Sequence, residues 1–428
     1  MKRSIKLIIL AITFTLLSII AGCAKSPSQA GKPEEKPKIT IVHWQHHHEA
    51  RTPVVQELAR EFEQSHPGVS VVVEPIPYDS YFDKLYTSLA SGSGPDTFQI
   101  AATMALEMIN GGKLAPMPDS IYTPEQVKNT FLAWTVEPGF KDGKYYGLPT
   151  DVQTLVLFIN NEIFKSIGGD PQNPPKTWSE MEKYAIAATK KDASGKMVQA
   201  GLDTRYKWAV YTAFLYQNIE GPVVDVSAKK VNYDSPQGLA AWNFVHKLMV
   251  QDKVDSPEFM TGQFKFELKK ALFYINHPVT RGRIEKMAPG LDYSVAQLPM
   301  PDGKPGNITV GHSWMYVVNK DSKNAKVAWE WVKFLASKEA QIKWITKAGD
   351  LPSMKALLED EALWKDPKAQ VVRESLKYAR PCQEVGENDV NKIRNEIWDN
   401  IVLKGMKVEE AVKEGAQKEN ALIAQKLK

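Results

Sequence analysis

Cysteine is nearly missing from this chain: only Cys23 and Cys382 occur, so no disulfide framework can staple it. Excess charge is missing too. The formal net charge is +4, and three of the positive charges, Lys2, Arg3 and Lys6, sit at the very start, leaving the remainder close to neutral. Nothing in that balance argues for a nucleic acid partner. Beyond residue 20 there is no run as long as the about 20 apolar residues a membrane-spanning helix needs. Signatures of covalent or phosphate chemistry are also absent: there is no nucleophile elbow, no metal-protease helix and no phosphate loop. The stretch SGSGP at 91–95 imitates a phosphate cradle, but it precedes a strand where a cradle follows one. No internal repeat is present.

What is there begins with a leader. Lys2, Arg3 and Lys6 form a basic head, and Leu7 to Ile20 an apolar run broken only by small hydroxyl residues. This reads as a signal peptide over 1–22. It ends in Ile20-Ala21-Gly22-Cys23, which resembles the bacterial lipobox, with small residues that admit a signal peptidase and a Cys23 thiol that accepts a diacylglycerol. Residues 24–38, AKSPSQAGKPEEKPK, hold no aromatic or large aliphatic side chain and cannot offset their ordering entropy. They are expected to tether, with a mean reach of about 20 Å. With Cys23 lipidated, Cys382 has no partner and no disulfide is expected.

The remaining chain of about 400 residues exceeds what one core serves, so two lobes are expected. Its opening alternates. ITIVHW at 39–44 reads as a buried strand, Thr52 as an N-cap and Pro53 as the first residue of a helix carrying Val54, Val55, Leu58, Ala59 and Phe62 on one face. A second strand at Val69–Glu74, a helix from Ser80 to Ser91 and a third strand at Thr97–Ile100 complete β-α-β-α-β, the opening of a doubly wound parallel sheet. Loops at the carboxyl ends of such strands line a crevice, which brings Trp44 to His48, Tyr78 with Asp79, and Ala101 to Thr103 together. Later strands are expected at Thr154–Asn160, Ala271–Ile275 and Ile308–Asn319. Helices are expected at Ser179–Ala188, Trp208–Gln217, Gln237–Val250 and Ala325–Ala336, and throughout the chain from Ser353.

Several segments, in order, carry a family likeness: ITIVHWQ, EFEQSHPGVSVVVEP, LASGSGPDTFQI, GKYYGLPTDVQTLVLFINNEIFKSIG, PPKTWSEM, ITVGHSWMYVVNKDSKNAKVAWEWVKFLASKEAQ and GDLPS. Together they resemble the extracellular solute-binding proteins of ABC importers, the group that includes maltose-binding and other sugar-binding lipoproteins. The resemblance implies an α/β two-lobed clamshell, each lobe a mostly parallel sheet flanked by helices, with residues 39–150 and 309–352 in one lobe and 151–308 and 353–428 in the other. It implies crossings near Asp151–Leu155, Gly306–Thr309 and Asp350–Ser353. It further implies a monomer that binds a sugar or oligosaccharide between the lobes, delivers it to ABC permease subunits, uses no cofactor and catalyses nothing. With the lipid at Cys23, the expected location is the outer face of a bacterial cell membrane.

A sugar presents apolar C–H faces and a rim of hydroxyls, so its site needs aromatic faces together with amide, carboxylate or guanidinium groups. Trp44, Trp208 and Trp314 lie at strand ends or loops that this architecture turns inward, whereas Trp242, Trp329, Trp331, Trp344 and Trp398 fall in helical patterns and read as core. Trp178 reads as packing at a helix start. Gln45 and His46 share the first loop. Tyr78 and Asp79 resemble a cleft-lining position of the family. Asp96 matches another, although beside Pro95 it equally suits capping of local amides. Asp151 and Gln153 precede the first crossing. In YINHPVTRG, where the family more often places a small residue and an aromatic, stand Asn276, His277 and Arg281. His312 and Trp314 follow Gly311, where the family that the chain resembles often has paired glycines, and the substitution by His312 suggests a contact specific to this ligand. Arg380, in YARPC, is placed to reach across the mouth or to stay exposed.

Two other readings compete. Histidines 43, 46, 47 and 48 offer imidazoles for zinc or a similar metal, against which successive residues cannot all aim inward, and His46 or His48 bonding a sugar hydroxyl is the simpler use. A glycosidase would need two carboxylates flanking the bond it breaks, with Asp79, Asp96 and Asp151 as candidates.

Overall fold

The computed structural model describes residues 39–427; the leader, Cys23 and the tether up to residue 38 lie outside the described residues. Among the described residues, no helix is long and apolar enough to cross a membrane.

The β-branched opening builds the first sheet as expected. Strand Ile39–His46 pairs in parallel with Val69–Ile76 on one side and with Thr97–Ala101 on the other. Helices Arg51–Ser65 and Tyr78–Ser91 make the returns. The first starts ahead of its expected Thr52 cap, with Ala50 at the cap position. The reason lies in the loop before it: the Thr52 hydroxyl accepts the His48 amide at 3.1 Å and so is spent outside the helix. Val54, Val55, Leu58, Ala59 and Phe62 are all buried, and each large apolar side chain among them stabilises the fold by about 1.5–3 kcal/mol. The second helix begins two residues earlier than expected, so Tyr78 and Asp79 stand in its first turn, where a carboxylate suits the helix dipole.

The sheet then reverses direction. Thr309–Val318 lies antiparallel between Thr97–Ala101 and Gly147–Gln153, with Trp314 opposite both Ala101 and Asp151. Leu351–Pro352 adds an edge to Gly147–Gln153. Ala379–Pro381 pairs in parallel with Thr309–Gly311, so the chain after Ser353 is not helical throughout.

A second sheet runs Tyr293–Ala296, Val156–Asn160, Ala271–Asn276, Met197–Asp203, Lys190–Lys191. In it only Ala271–Asn276 and Met197–Asp203 are parallel, and the other pairs are antiparallel. Both sheets are therefore mixed, where mostly parallel ones were expected. Parallel neighbours need a long crossover within one sheet, and strands that arrive from the other lobe are free of that requirement. Helix Trp178–Ala188, closed by a Thr177–Glu180 capping box, packs so tightly on this sheet that a Cβ at Gly201 would strike the Ala185 carbonyl. Trp178 sits at its start, donating to Gln217 Oε1 at 2.9 Å and stacking on Phe244.

The chain passes from the first sheet to the second across Thr154 and Leu155, returns between Ala296 and Thr309, and leaves again after Pro352. Two crossings are bonded to each other: the Leu155 amide donates to Thr309 Oγ1 at 3.1 Å, and that hydroxyl donates to the Leu155 carbonyl at 2.6 Å. Apolar clusters cover both faces of the first sheet, and a larger one fills the second lobe. Trp242, Trp329, Trp331, Trp344 and Trp398 are all core.

Candidate functional site

A cavity of about 620 Å³ opens between the two sheets, mid-range for a small-molecule site. From the first lobe come the end of strand Ile39–His46 with the loop after it, the start of helix Tyr78–Ser91, and Gln153, His312 and Trp314 from neighbouring strands. From the second come the segment after strand Met197–Asp203, the end of strand Ala271–Asn276, and one face of helix Glu387–Val402.

Rings dominate two walls. His46 packs against Trp314 at 4.6 Å between centroids and edge-on to Tyr78 at 5.3 Å. Opposite, Tyr206 stacks on Trp208 at 5.7 Å, Trp208 lies 5.5 Å from His277, and His312 stands edge-on to Trp208 at 6.1 Å. Beside them Arg205 lies over Phe264 at 4.4 Å and donates to the Tyr274 hydroxyl at 2.6 Å.

The histidines differ in charge. Burial, reinforced by Arg51 and His312, lowers the His46 pKa to about 3. Burial and then His312 take His277 to about 3 as well. The His277 Nδ1 faces the Thr154 carbonyl at 3.1 Å; a carbonyl only accepts, so Nδ1 carries the proton and Nε2 is left as an acceptor. For His312, burial pulls the pKa down, but the Glu387 carboxylate, its hydrogen bond, Glu384 and Asp151 outweigh it and raise the value. Glu387 Oε2 lies 3.4 Å from His312 Nε2 and accepts from the Thr103 hydroxyl at 2.7 Å. Several polar atoms of wall residues are buried without a protein partner, among them His46 Nδ1, His312 Nδ1, Arg51 Nη1 and Arg205 Nε. Buried polar groups are normally paired, so a polar solute is the natural complement of this wall.

Of the residues singled out in the sequence, His46, Tyr78, Asp79, Gln153, Trp208, Asn276, His277, His312 and Trp314 line this cavity. Six others do not. Trp44 lies under helix Tyr78–Ser91 in the core, with Lys84 over its ring at 4.2 Å, because it stands two residues short of the strand end. Gln45 alternates to the opposite face and accepts from the Tyr316 hydroxyl at 2.8 Å. Asp96 neither faces the cavity nor caps local amides: it accepts from the Val42 amide of the neighbouring strand segment at 2.9 Å and from the Ser322 hydroxyl at 2.5 Å, both distant in the chain. Asp151 is buried in an ion pair with Arg51. Arg281 turns away on helix Thr280–Met287 to pair with Asp366 at 2.7 Å. Arg380 neither reaches the mouth nor stands free: it donates to the carbonyls of Tyr216, Ile219 and Gly221, at the carboxyl end of helix Lys207–Asn218, where a cation is favoured.

The competing readings lose their geometry. His43 faces Thr97, Tyr316 and Trp331 on the far side of its strand, and among the described residues no group of three or more His, Cys, Asp or Glu side chains gathers to hold a metal. Of Asp79, Asp96 and Asp151 only Asp79 lines the cavity; Asp96 accepts from the Val42 amide and Asp151 is held in a buried ion pair, so no two of these carboxylates face it.

Residues 48–342 match the family model described as bacterial extracellular solute-binding protein. The chain belongs to this family. Its members are solute binders, and membership places the folded chain outside the cytoplasm. Among relatives, the chain is similar to the galactooligosaccharide-binding protein of Bacillus subtilis (strain 168), 23% identical over 414 residues that cover 93% of this chain and 90% of the relative. Among solved structures it is similar to an ABC transporter solute-binding protein from Thermotoga lettingae TMO bound with alpha-D-tagatose. That structure matches with a TM-score of 0.78 at 24% identity over 90% of this chain and 99% of the other. A maltose/maltodextrin-binding domain from Bdellovibrio bacteriovorus bound to maltotriose also matches with a TM-score of 0.78, at 20% identity over 91% and 99%. These structures share the two-lobed fold.

Sequence reasoning missed Arg51, Arg205, Phe264, Arg283 and the stripe Glu387, Asn391, Asn395. The stripe had a signal, polar residues four apart on one helix face, but a solvated face carries the same pattern.

Proposed function

We propose that the protein captures a sugar or oligosaccharide in the cleft and delivers it to the membrane subunits of an ABC importer as a monomer, without catalysis or cofactor. One observation carries the reading: aromatic faces and unpartnered hydrogen-bonding groups from both sheets converge on a single cavity, the combination that a ring with apolar faces and a hydroxyl rim requires. The oligosaccharide and sugar ligands of the relative and of the two solved structures support it.

In this reading His46, Tyr78, Asp79, Gln153, Trp208, Asn276, His277, His312 and Trp314 contact the solute. The lobes are residues 39–150 with 309–352, and 151–308 with 353–428. A solute that touches both favours the closed arrangement by its differential affinity for it. Residues 1–22 serve as the signal peptide, and Cys23 carries the lipid that holds the protein at the membrane.

A thermal-shift screen against mono- and oligosaccharides, amino acids, polyamines and metals tests the assignment. A ligand at a hundred times its Kd adds about 2.7 kcal/mol of stability. Stabilisation by a saccharide is expected; a response to zinc or nickel alone, with none to any sugar, overturns it. Labelled palmitate should enter the wild-type protein and not Cys23→Ser; equal labelling removes the lipid anchor from the proposal.

A further inference from the structure

We infer that Arg51 couples occupancy of the cleft to the turning of the lobes, because one guanidinium both forms part of the cavity wall and ties together two segments that lead into the inter-lobe crossings. The inference rests on the solute-capture reading. Arg51 opens the first helix and is 4% exposed. Its Nε donates to Asp350 Oδ2 at 2.8 Å, and its Nη2 pairs with Asp151 Oδ2. Asp151 stands three residues ahead of the Thr154–Leu155 crossing, and Asp350 immediately ahead of Leu351–Pro352. These two segments are neighbours in the sheet, with Pro352 opposite Asp151. Nη1 remains, buried and without an acceptor in the protein, while the residue lines the cavity. Leaving such a donor unpaired is costly, and an acceptor oxygen on the solute satisfies it. The planar fork fixes the three nitrogens relative to one another, so an oxygen held by Nη1 constrains where the two carboxylates, and the segments that carry them, must sit. Asp151 and Asp350 thereby act as positioning residues, and the contact to solute is made by Arg51.

The test compares the wild-type protein with Arg51→Lys and Asp350→Asn. Galacto-, arabino-, malto- and manno-oligosaccharides of three units serve as probes, with affinity read by calorimetry and contraction by the radius of gyration in solution scattering. Arg51→Lys keeps the charge and loses the fork; it should bind the best probe about tenfold more weakly, within the range of such couplings, and contract less at saturation. Asp350→Asn does not touch the cavity, yet it should weaken the same probe about fivefold. A lower melting temperature with wild-type affinity and full contraction in both variants would mean that Arg51 only supports the fold, and the inference fails. If the wild-type protein binds neither these four probes nor any monosaccharide, the sugar reading fails first and takes the inference with it.

Discussion

His312 Nε2 lies 3.4 Å from Glu387 Oε2, and both side chains are buried where strand Thr309–Val318 meets the start of helix Glu387–Val402. The carboxylates around His312 overcome its burial and raise its pKa. A histidine raised above its unfolded value of about 6.5 contributes stability that is complete below that pH and is lost as pH rises through the folded value. Urea midpoints of the wild-type protein should therefore fall, relative to those of His312→Gln, as pH rises above about 6.5. Parallel curves for the two proteins would show that the pair has no such role.

His43 predicts the opposite sign. It is fully buried on the far face of its strand, its Nδ1 is 2.8 Å from Thr97 Oγ1, and burial lowers its pKa to about 3. Between about pH 6.5 and 3 the unfolded chain takes up a proton that the folded chain refuses, so stability drops as pH falls. The difference in unfolding free energy between wild type and His43→Asn should change by about 1.4 kcal/mol per pH unit across the middle of that window. A difference that does not vary with pH would place the proton elsewhere.

Trp44 and Trp208 should separate folding from binding. Trp44 is core in the first lobe and lies off the cavity wall; Trp44→Ala should cost about 3–5 kcal/mol of stability while the folded fraction keeps its saccharide affinity. Trp208 lies on the wall between Tyr206 and His277, and losing its ring, worth at least about 1.4 kcal/mol of contact, should weaken the best saccharide tenfold or more. Calorimetry on both variants checks this, and equal affinities would remove Trp208 from the site.

Gly201 sets the spacing between helix Trp178–Ala188 and its sheet, since a Cβ there meets the Ala185 backbone. Gly201→Ala is expected to lower stability by about 1–3 kcal/mol through overpacking. A melting temperature within a degree of wild type would show that the helix moves aside freely.

How much of this was legible in the sequence depends on whether a signal is local. The β-branched runs, the apolar faces and the Thr177–Glu180 box are local patterns, and the opening β-α-β-α-β and the core tryptophans followed from them. Strand direction in the second sheet is set by chain crossings, which periodicity does not record, so the expectation of mostly parallel sheets failed there. Within the site, a position near a strand end was readable, but the side to which a residue turns was not. Trp44 and Trp314 both qualified by position, and only Trp314 reaches the cavity. Asp151 qualified too, yet its carboxylate is taken by Arg51, whose other partner is Asp350, and pairs so far apart in the chain leave no local pattern to read.

The antiparallel strand Thr309–Val318 has a consequence for how the molecule is made. It is wedged between strands that precede it by more than a hundred residues, so the first half of the polypeptide, on emerging, holds an unfinished sheet with an empty slot at its centre. Contacts so remote in sequence slow acquisition of the native state. Neither half should mature alone, because the first sheet closes only when the chain through Val318 is present.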